Sequence, residues 1–589
     1  MFFSAYLGSS EHEPRWREDL ERHATWLSLS AHPFSRAIAD GRTFAYGWAS
    51  LRPPHTELLV HEDADRLTIV PLDTLTRAEA LAQEHPRGFT TNAIRMDVSL
   101  ASGEVRIAVP VLTVEQFYHA GDGQGWVFGN DLRLMLRWAR LRLSDLAIYS
   151  MLHYDYVPSP YTLSETVQRV PPGHILTLVP GGTASVRQFF NPREIAGPPG
   201  DGEPEERMRE ALDCVLARMP CPAAVHFSGG VDSGLIAARL AALGRNEVRL
   251  HNFTEGPEAD PFHELASEMA EHLGMPCDRA VWDPSSVPDL LHELAHEYSF
   301  PITDPSCFPT LFLMRELAQR GQNPAVVTTG TGAGYTLEAS RWFATWRRIH
   351  AIPRPIRRLG AVAYPLWLWR VDSEFARAVV ALQRSAQFNV IQNASSGHGT
   401  LHGLAYDIPT GVRAAMMETL EEAQMRMTDG MIPEDRVALA SLLHHGTHMC
   451  GTRPFDSLRK RGTLTLHPYM EPEVVRTGFS VSWAEKRADG GAKALLKTLL
   501  AQSVPRQWVY RRKGRFLMPF RDVFGHPSVQ EMARGLVLSV SNPLMAYCCP
   551  AGVERVFHRA LEGQPLNVGA RRFVWVFTSL SLWLSQLDS

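Results

Sequence analysis

Residues Ala223 to Leu240 read AAVHFSGGVDSGLIAARL, and this stretch decides the fold. A short apolar run (Ala224, Val225, Phe227) enters it with the character of a buried parallel strand. Ser228-Gly229-Gly230-Val231-Asp232-Ser233 then turns the chain, and from Gly234 the spacing of Leu235, Ile236, Ala237, Ala238 and Leu240 is helical. A strand, a Gly-Gly turn and a helix N-terminus together build an anion site. Glycine lets the backbone come close, and free amides at the positive end of the helix dipole meet phosphate oxygens. Ser228 and Ser233 add hydroxyl hydrogen bonds, and Asp232 supplies a carboxylate for a magnesium ion bridging those oxygens. A Walker loop is excluded, because its Gly-Lys-Ser/Thr ending is absent. An ordinary glycine-rich turn is the plainer alternative.

Outward from this stretch, helix and strand patterns alternate, as they do in a doubly wound parallel sheet. Met208–Met219 reads as a helix, Val248–Phe253 as a strand, Phe262–Leu273 as a helix and Ala280–Trp282 as a strand. Helices over Val287–Tyr298 and Thr310–Arg320 precede a further strand, Ala325–Thr329. Ligands collect at the carboxyl ends of such strands. HNFTEG (251–256) falls at one of them, which makes Phe253 a candidate for adenine or ribose contacts, an ordinary strand-to-helix loop being the alternative. Residues 1 to about 190 are instead β-rich, with strands expected at Arg66–Pro71, Gly88–Met96, Glu104–Pro110 and Gly125–Gly129. Pro192 to Glu205 is rich in proline, glycine and acid and marks a junction. The organisation expected is therefore 1–192 and 207–589, with a basic, aromatic insertion at 339–402.

The chain has 589 residues, too many for one core. With 45% hydrophobic and 21% charged residues it has the make-up of a soluble globular protein. A net charge of -4 argues against a general nucleic-acid binder. Seven cysteines (214, 221, 277, 307, 450, 548, 549) show no zinc spacing and read as free thiols of a reducing compartment. Met1 to Ser10 has no basic segment followed by an apolar one, and no apolar run is long enough to span a membrane. A cytoplasmic protein is expected.

SGGVDS resembles the pyrophosphate loop of ATP pyrophosphatases, which cleave ATP to AMP and pyrophosphate; ATP and magnesium are thereby implied at residues 228–233. GEVRIAVPVLTVEQFYHAGDGQGWVFGNDLRLML (103–136) and IYSMLHYDYVPSPYTLSETVQRVPPGHILTL (148–178) resemble the late strands and linker of asparagine synthetases. That resemblance implies an Ntn-glutaminase-like amino-terminal domain, an ATP-pyrophosphatase-type synthetase domain and a helical carboxyl-terminal region. The family's glutaminases attack glutamine with an N-terminal cysteine exposed when Met1 is removed. Here Phe2 stands in that place, no cysteine appears before Cys214, and LRPPHT (51–56) is at best a remnant of a glutamine-positioning motif. A phenyl ring cannot form the thioester. A scaffold domain without glutaminase activity is expected.

VVTTGTGAGYTLEA (326–339) resembles the family's second loop, usually close to Gly-Asp-Gly-Ala-Asp-Glu. Gly330, Thr331 and Gly332 keep its glycine framework, but Thr331, Gly334 and Tyr335 stand where the acids would be. Losing a hard oxygen ligand weakens magnesium binding unless another carboxylate substitutes, with Glu338 the nearest candidate and Asp304 another. A copy that hydrolyses ATP poorly is the alternative. TLTLHPYMEPEVVRTGFSVS (463–482) resembles the family's Arg-x-Pro-Phe-Leu-Asp segment, with Glu471 keeping the carboxylate. GGAKALLKTLLAQSVPRQWVYRRKGRF (490–516) resembles a Lys-x-x-Leu-Arg helix followed by Arg-x-Lys-x-x-Phe. By analogy with β-lactam synthetases, Lys513 is implied as the cation that stabilises the transition state, with Lys493 and Arg511 as alternatives.

The insertion carries seven arginines (341, 347, 348, 354, 357, 358, 370) and no acid over 339–371, with Trp342, Trp346, Trp367 and Trp369 among them. This suits an acidic peptide, a partner's acidic face or a membrane surface; an amphipathic helical pair is the alternative. Ser395–His402 reads as a polar loop beside a site, or as a linker. With no glutamine-derived ammonia, the resemblance implies that the substrate carries its own amine. Lasso peptide cyclases fit best: they join a precursor peptide's N-terminal amine to an Asp or Glu side chain in a macrolactam and work beside a leader-binding protein and a leader peptidase. β-Lactam-synthetase-like ring closure, an ammonia-dependent amide synthetase and a catalytically weak peptide-binding scaffold are the rivals.

Overall fold

The computed structural model describes the chain apart from residues 1, 39–41, 51–57, 72–91, 124, 196–201, 259, 261, 339–350, 354, 357–400, 402–403, 420–430, 451–457, 459–460, 491, 512–517 and 588–589. The Arg/Trp-rich insertion therefore lies almost wholly outside the described residues, as does the polar loop at 395–402 apart from Leu401.

The amino-terminal region is built from two six-stranded antiparallel sheets. The first holds β1 (Phe2–Ser9), β2 (Ser30–Ile38), β3 (Arg42–Ser50), β8 (Tyr118–Gly121), β9 (Gly125–Gly129) and β10 (Gln168–Arg169), in the order β10-β8-β9-β1-β3-β2. The second holds β4 (Leu58–Glu62), β5 (Arg66–Pro71), β6 (Arg95–Ser99), β7 (Val105–Val109), β11 (His174–Leu178) and β12 (Ala184–Gln188), in the order β12-β11-β7-β6-β5-β4. Alternate residues of both, among them Phe3, Phe44, Phe128, Ile69, Ile107 and Leu176, meet in one core. β5 and β9 lie where the sequence pattern puts them, and β7 within a residue of it. β6 starts at Arg95 rather than ending near it, and β1 to β3 had no periodic signal. β1 is apolar along nearly its whole length because both its faces are buried, so it lacks the alternation of a half-exposed strand.

The synthetase half is organised by a five-stranded parallel sheet: β13 (Ala223–His226), β14 (Arg249–Thr254), β15 (Cys277–Val281), β16 (Val326–Thr328) and β17 (Leu464–Leu466). Their order is β15-β14-β13-β16-β17, with Val225 opposite Leu250 on one side and Thr328 on the other. The chain winds outward from β13 to β15, then returns to lay β16 and β17 on the other flank. The reversal falls between β13 and β16, where the crevice of an open α/β sheet forms. Helices Pro204–Ala217 and Val231–Ala242 cover one face through Leu212, Leu216, Leu235 and Ile236, and Met314 and Leu317 of helix Cys307–Gln319 pack on Ala224 and Val327 from the other, so the central strands β13 and β16 are apolar and buried on both faces. Among the described residues from Thr410 onward helical segments dominate, closing with Val568–Ser585. The α/β class, the β-rich amino-terminal region and the helical carboxyl-terminal region are as the sequence predicts.

The two halves are joined by buried polar contacts. Arg133 lies 4.9 Å from the ring centres of both Trp26 and Trp583. Its Nε donates to the Tyr298 carbonyl at 3.0 Å and its Nη2 to the Ala295 carbonyl. Trp583 Nε1 donates to the same Tyr298 oxygen at 3.1 Å. Asp155, at the end of helix Asp145–Tyr154, pairs with Arg572, and its carbonyl accepts from Thr303. Replacing Arg133 by Met keeps the apolar stem but strands the Ala295 carbonyl and leaves the Tyr298 carbonyl with Trp583 alone. A loss of about 3 kcal/mol is expected, read as a lower urea midpoint; an unchanged midpoint would show that the clamp contributes nothing.

Candidate active site

The predicted anion turn is present at the carboxyl end of β13. Gly229 takes φ +65, and a Cβ there would sit 3.2 Å from the Ala266 Cα, so the position requires glycine. Gly230 is the N-cap of helix Val231–Ala242 and has no side chain to cap it, which leaves the first-turn amides open to an anion. The Ser233 hydroxyl accepts the Ser228 amide at 3.1 Å and lies 3.1 Å from the Ser228 hydroxyl, which in turn accepts the Gly230 amide at 3.3 Å. The two serines fix the turn from inside, a role beside that of phosphate donors. Val231 opens the helix.

The second loop follows β16, directly across the switch point. A Cβ on Gly330 would stand 2.9 Å from the Asp232 Cβ, so only glycine lets the two loops approach this closely. The Thr331 amide bonds the Thr329 hydroxyl at 3.2 Å, and that hydroxyl lies 2.8 Å from His467 Nδ1. Gly332 has φ +105 and presses on the backbone of Tyr469. The glycine framework expected from the sequence is thus in place beside SGGVDS, without the acids.

The charge at the site is arranged around Lys493. Its ammonium lies 2.6 Å from Asp232 Oδ2 and 3.5 Å from Glu338 Oε2. Burial pulls its pKa down, but the Asp232 and Glu338 carboxylates, through charge and hydrogen bonds, outweigh that and hold it above the ordinary lysine value. Lys493 also adopts a left-handed backbone (φ 58, ψ 37), a conformation that costs a residue with a side chain about 1 kcal/mol or more. The other Asp232 oxygen, Oδ1, is buried without a hydrogen-bond partner. An orphaned carboxylate oxygen fits a hard divalent cation, which Asp232 and Glu338 could hold. Asp304, the other acid considered, accepts from the Ser306 amide at 3.0 Å and hydroxyl at 2.6 Å and acts electrostatically on Asp155, which places it with the junction between halves.

Arg511 adds a second cation: its Nη2 donates to the Gly229 carbonyl at 3.3 Å and its guanidinium stacks 4.4 Å from the Phe262 ring centre. Lys513 lies outside the described residues. Glu471 is buried and accepts from Asn92 Nδ2 at 3.3 Å. Phe253 packs edge-on against Phe312, 5.9 Å between ring centres, so its side chain belongs to the apolar core beside the crevice. Two residues escaped sequence reasoning. Tyr469, wholly buried, donates its hydroxyl to the Asp232 carbonyl at 2.9 Å, and Asn92 comes from the other half of the chain. Tyr469 had a faint signal, as the aromatic position of the HPYME run; Asn92 had none.

Together these groups present amides, two fixed cations and a carboxylate with a spare oxygen at one crevice, which suits a nucleoside polyphosphate. The family model for asparagine synthase matches residues 205–585. Asparagine synthetase [glutamine-hydrolyzing] 1 of Bacillus subtilis (strain 168) is 25% identical over 208 residues, 34% of this chain, and the match spans only 32% of that relative. Among solved structures, the glutamine phosphoribosylpyrophosphate amidotransferase of B. subtilis aligns with 56% of this chain and 81% of its own, at 8% identity and a TM-score of 0.21. The allosteric regulatory enzyme of purine biosynthesis aligns with 47% and 80%, at 9% identity and a TM-score of 0.20. Overlaps this poor carry no argument.

Substituting Lys493 by Met leaves Asp232 and Glu338 uncompensated. Manganese titrated into the ligand-free protein, followed by loss of its free EPR signal, is expected to bind about tenfold tighter than to the wild type. Equal or weaker binding would show that these carboxylates do not share a cation site.

Proposed function

The chain belongs to the asparagine synthase family, and on that premise we propose that it is an ATP-dependent ligase that forms a C–N bond and releases AMP and pyrophosphate. The observation that supports this most directly is the open helix N-terminus at Gly230, with Asp232 Oδ1 orphaned and Lys493 beside it. A substrate carboxylate oxygen attacks the α-phosphorus of ATP and expels pyrophosphate, which the 228–233 amides and Arg511 hold. An amine then attacks the acyl carbon, loses its proton and expels AMP. Asp232 and Glu338 would hold a magnesium ion, which would supply charge neutralisation for the leaving pyrophosphate. Holding both reactants in one crevice makes the second step effectively unimolecular.

The finer reading is a lasso peptide cyclase, in which the acylated group is an Asp or Glu side chain of a precursor peptide and the amine is that peptide's N-terminus. It is supported by Phe2, wholly buried with its ring edge-on to His23 at 5.9 Å, in the place of a glutamine-cleaving thiol. A substrate that brings its own amine needs no ammonia source. A leader-binding protein and a leader peptidase belong to the same proposal, as does a cytoplasmic setting; no helix among the described residues is long and apolar enough to cross a membrane.

The test is pyrophosphate release by the purified protein with a precursor peptide carrying an Asp or Glu a few residues into its core. Asp232→Ala is expected to lower release by about two orders of magnitude or more. Lys513→Met is expected to bind ATP as the wild type does and to form no ring. Release with ammonia and a free amino acid, but not with peptide, would favour an amide synthetase. No release with any carboxylate would leave only a peptide-binding scaffold.

A further inference from the structure

We propose that Asn92 is a positioning residue for the phosphate loop, and that through it the amino-terminal half braces the synthetase site. Asn92 lies three residues before β6 and is 7% exposed. Its Nδ2 lies 3.2 Å from the Met470 carbonyl and 3.3 Å from Glu471 Oε1. A backbone carbonyl can only accept, so the amide must present its NH2 side here and the orientation of the side chain is determined.

What Asn92 holds is a short, rigid turn, Pro468–Met470, in contact with both phosphate loops. Tyr469, the neighbour of Met470, donates to the Asp232 carbonyl at 2.9 Å. A Cβ on Gly332 would stand 3.0 Å from the Tyr469 carbonyl carbon and 2.6 Å from Met470 Cγ, so the second loop rests on the same turn. His467, at its start, lies 2.8 Å from the Thr329 hydroxyl. Displacing the Met470 carbonyl therefore displaces the group that holds the Asp232 backbone. The path is Asn92, Met470, Tyr469, Asp232, with bonded or packed contact at each step.

This inference rests on the nucleotide reading of the loop only for its consequence, not for its geometry, and the experiment separates the two. Hydrogen exchange of the full-length, ligand-free protein is measured by mass spectrometry for Asn92→Ala, Asn92→Asp, Tyr469→Phe and the Asn92→Ala/Tyr469→Phe double variant. Asn92→Asp keeps the shape but sets a second carboxyl against Glu471 in place of the amide donor, and serves if the alanine variant fails to fold. Loss of one buried hydrogen bond is expected to speed exchange of amides in residues 226–240 about five- to tenfold in each single variant. Exchange in β1, β3 and β9 stays unchanged, and the double variant is no faster than the faster single, as for two groups acting on one path. The affinity for magnesium-ATP falls by a similar factor. Unchanged loop exchange, additive effects, or acceleration spread through the amino-terminal sheets would each overturn the proposal. If the loop responds as expected and the wild type binds no ATP, the brace stands and the nucleotide reading falls.

Discussion

A turn that is to receive a polyphosphate must leave its amides unsatisfied, so it cannot stabilise itself by capping. The loop at 228–233 meets this constraint with Gly230 at the cap position; its two serines tie the turn internally, and its remaining support comes from outside. Tyr469 fixes the Asp232 backbone, Lys493 its carboxylate, Arg511 the Gly229 carbonyl, and Gly330 packs against its Cβ. Each support comes from a different part of the synthetase half. The sheet order brings them together, because β13 and β16 flank the switch point and β17 delivers the turn that carries Tyr469.

The divergent second loop changes the charge of the site, not its backbone. Thr331, Gly334 and Tyr335 carry no charge, whereas the glycines at 330 and 332 keep the close approaches to Asp232 and Tyr469. Glu338, one turn further, restores one carboxylate, and Lys493 lies between it and Asp232. The left-handed backbone at Lys493 is the strain that accompanies this arrangement. On the proposed reaction, a divalent cation and the ammonium share the same pair of acids, so metal affinity and phosphate binding are tied to one side chain. On the same proposal the amino-terminal half, in which Phe2 is buried, contributes to the site through the reach of Asn92.

Local patterns were legible and distant partnerships were not. The strand, turn and helix of AAVHFSGGVDSGLIAARL follow from contiguous apolar runs and two glycines, and the structure places all three. The alternation that follows gave the strands and helices to within a few residues, since each element carries its own period. β1 gave no signal because burial on both faces erases alternation, and β17 is only three residues long. Tyr469 and Asn92 act through partners 237 and 378 positions away, and neither sits in a motif whose chemistry names it. The resemblance at 326–339 identified the loop and its missing acids; only the fold shows that Lys493 occupies the space between the acids that remain.

The central claim is that a substrate carboxylate attacks the α-phosphorus. It is tested most directly by following an oxygen. A precursor peptide whose acceptor Asp or Glu carboxyl is labelled with oxygen-18 is incubated with the protein and ATP, and the AMP is analysed by mass spectrometry. The account predicts one labelled oxygen in AMP for each amide formed, because the oxygen that attacks phosphorus leaves with the nucleotide. Unlabelled AMP, or formation of ADP and phosphate instead, would contradict it.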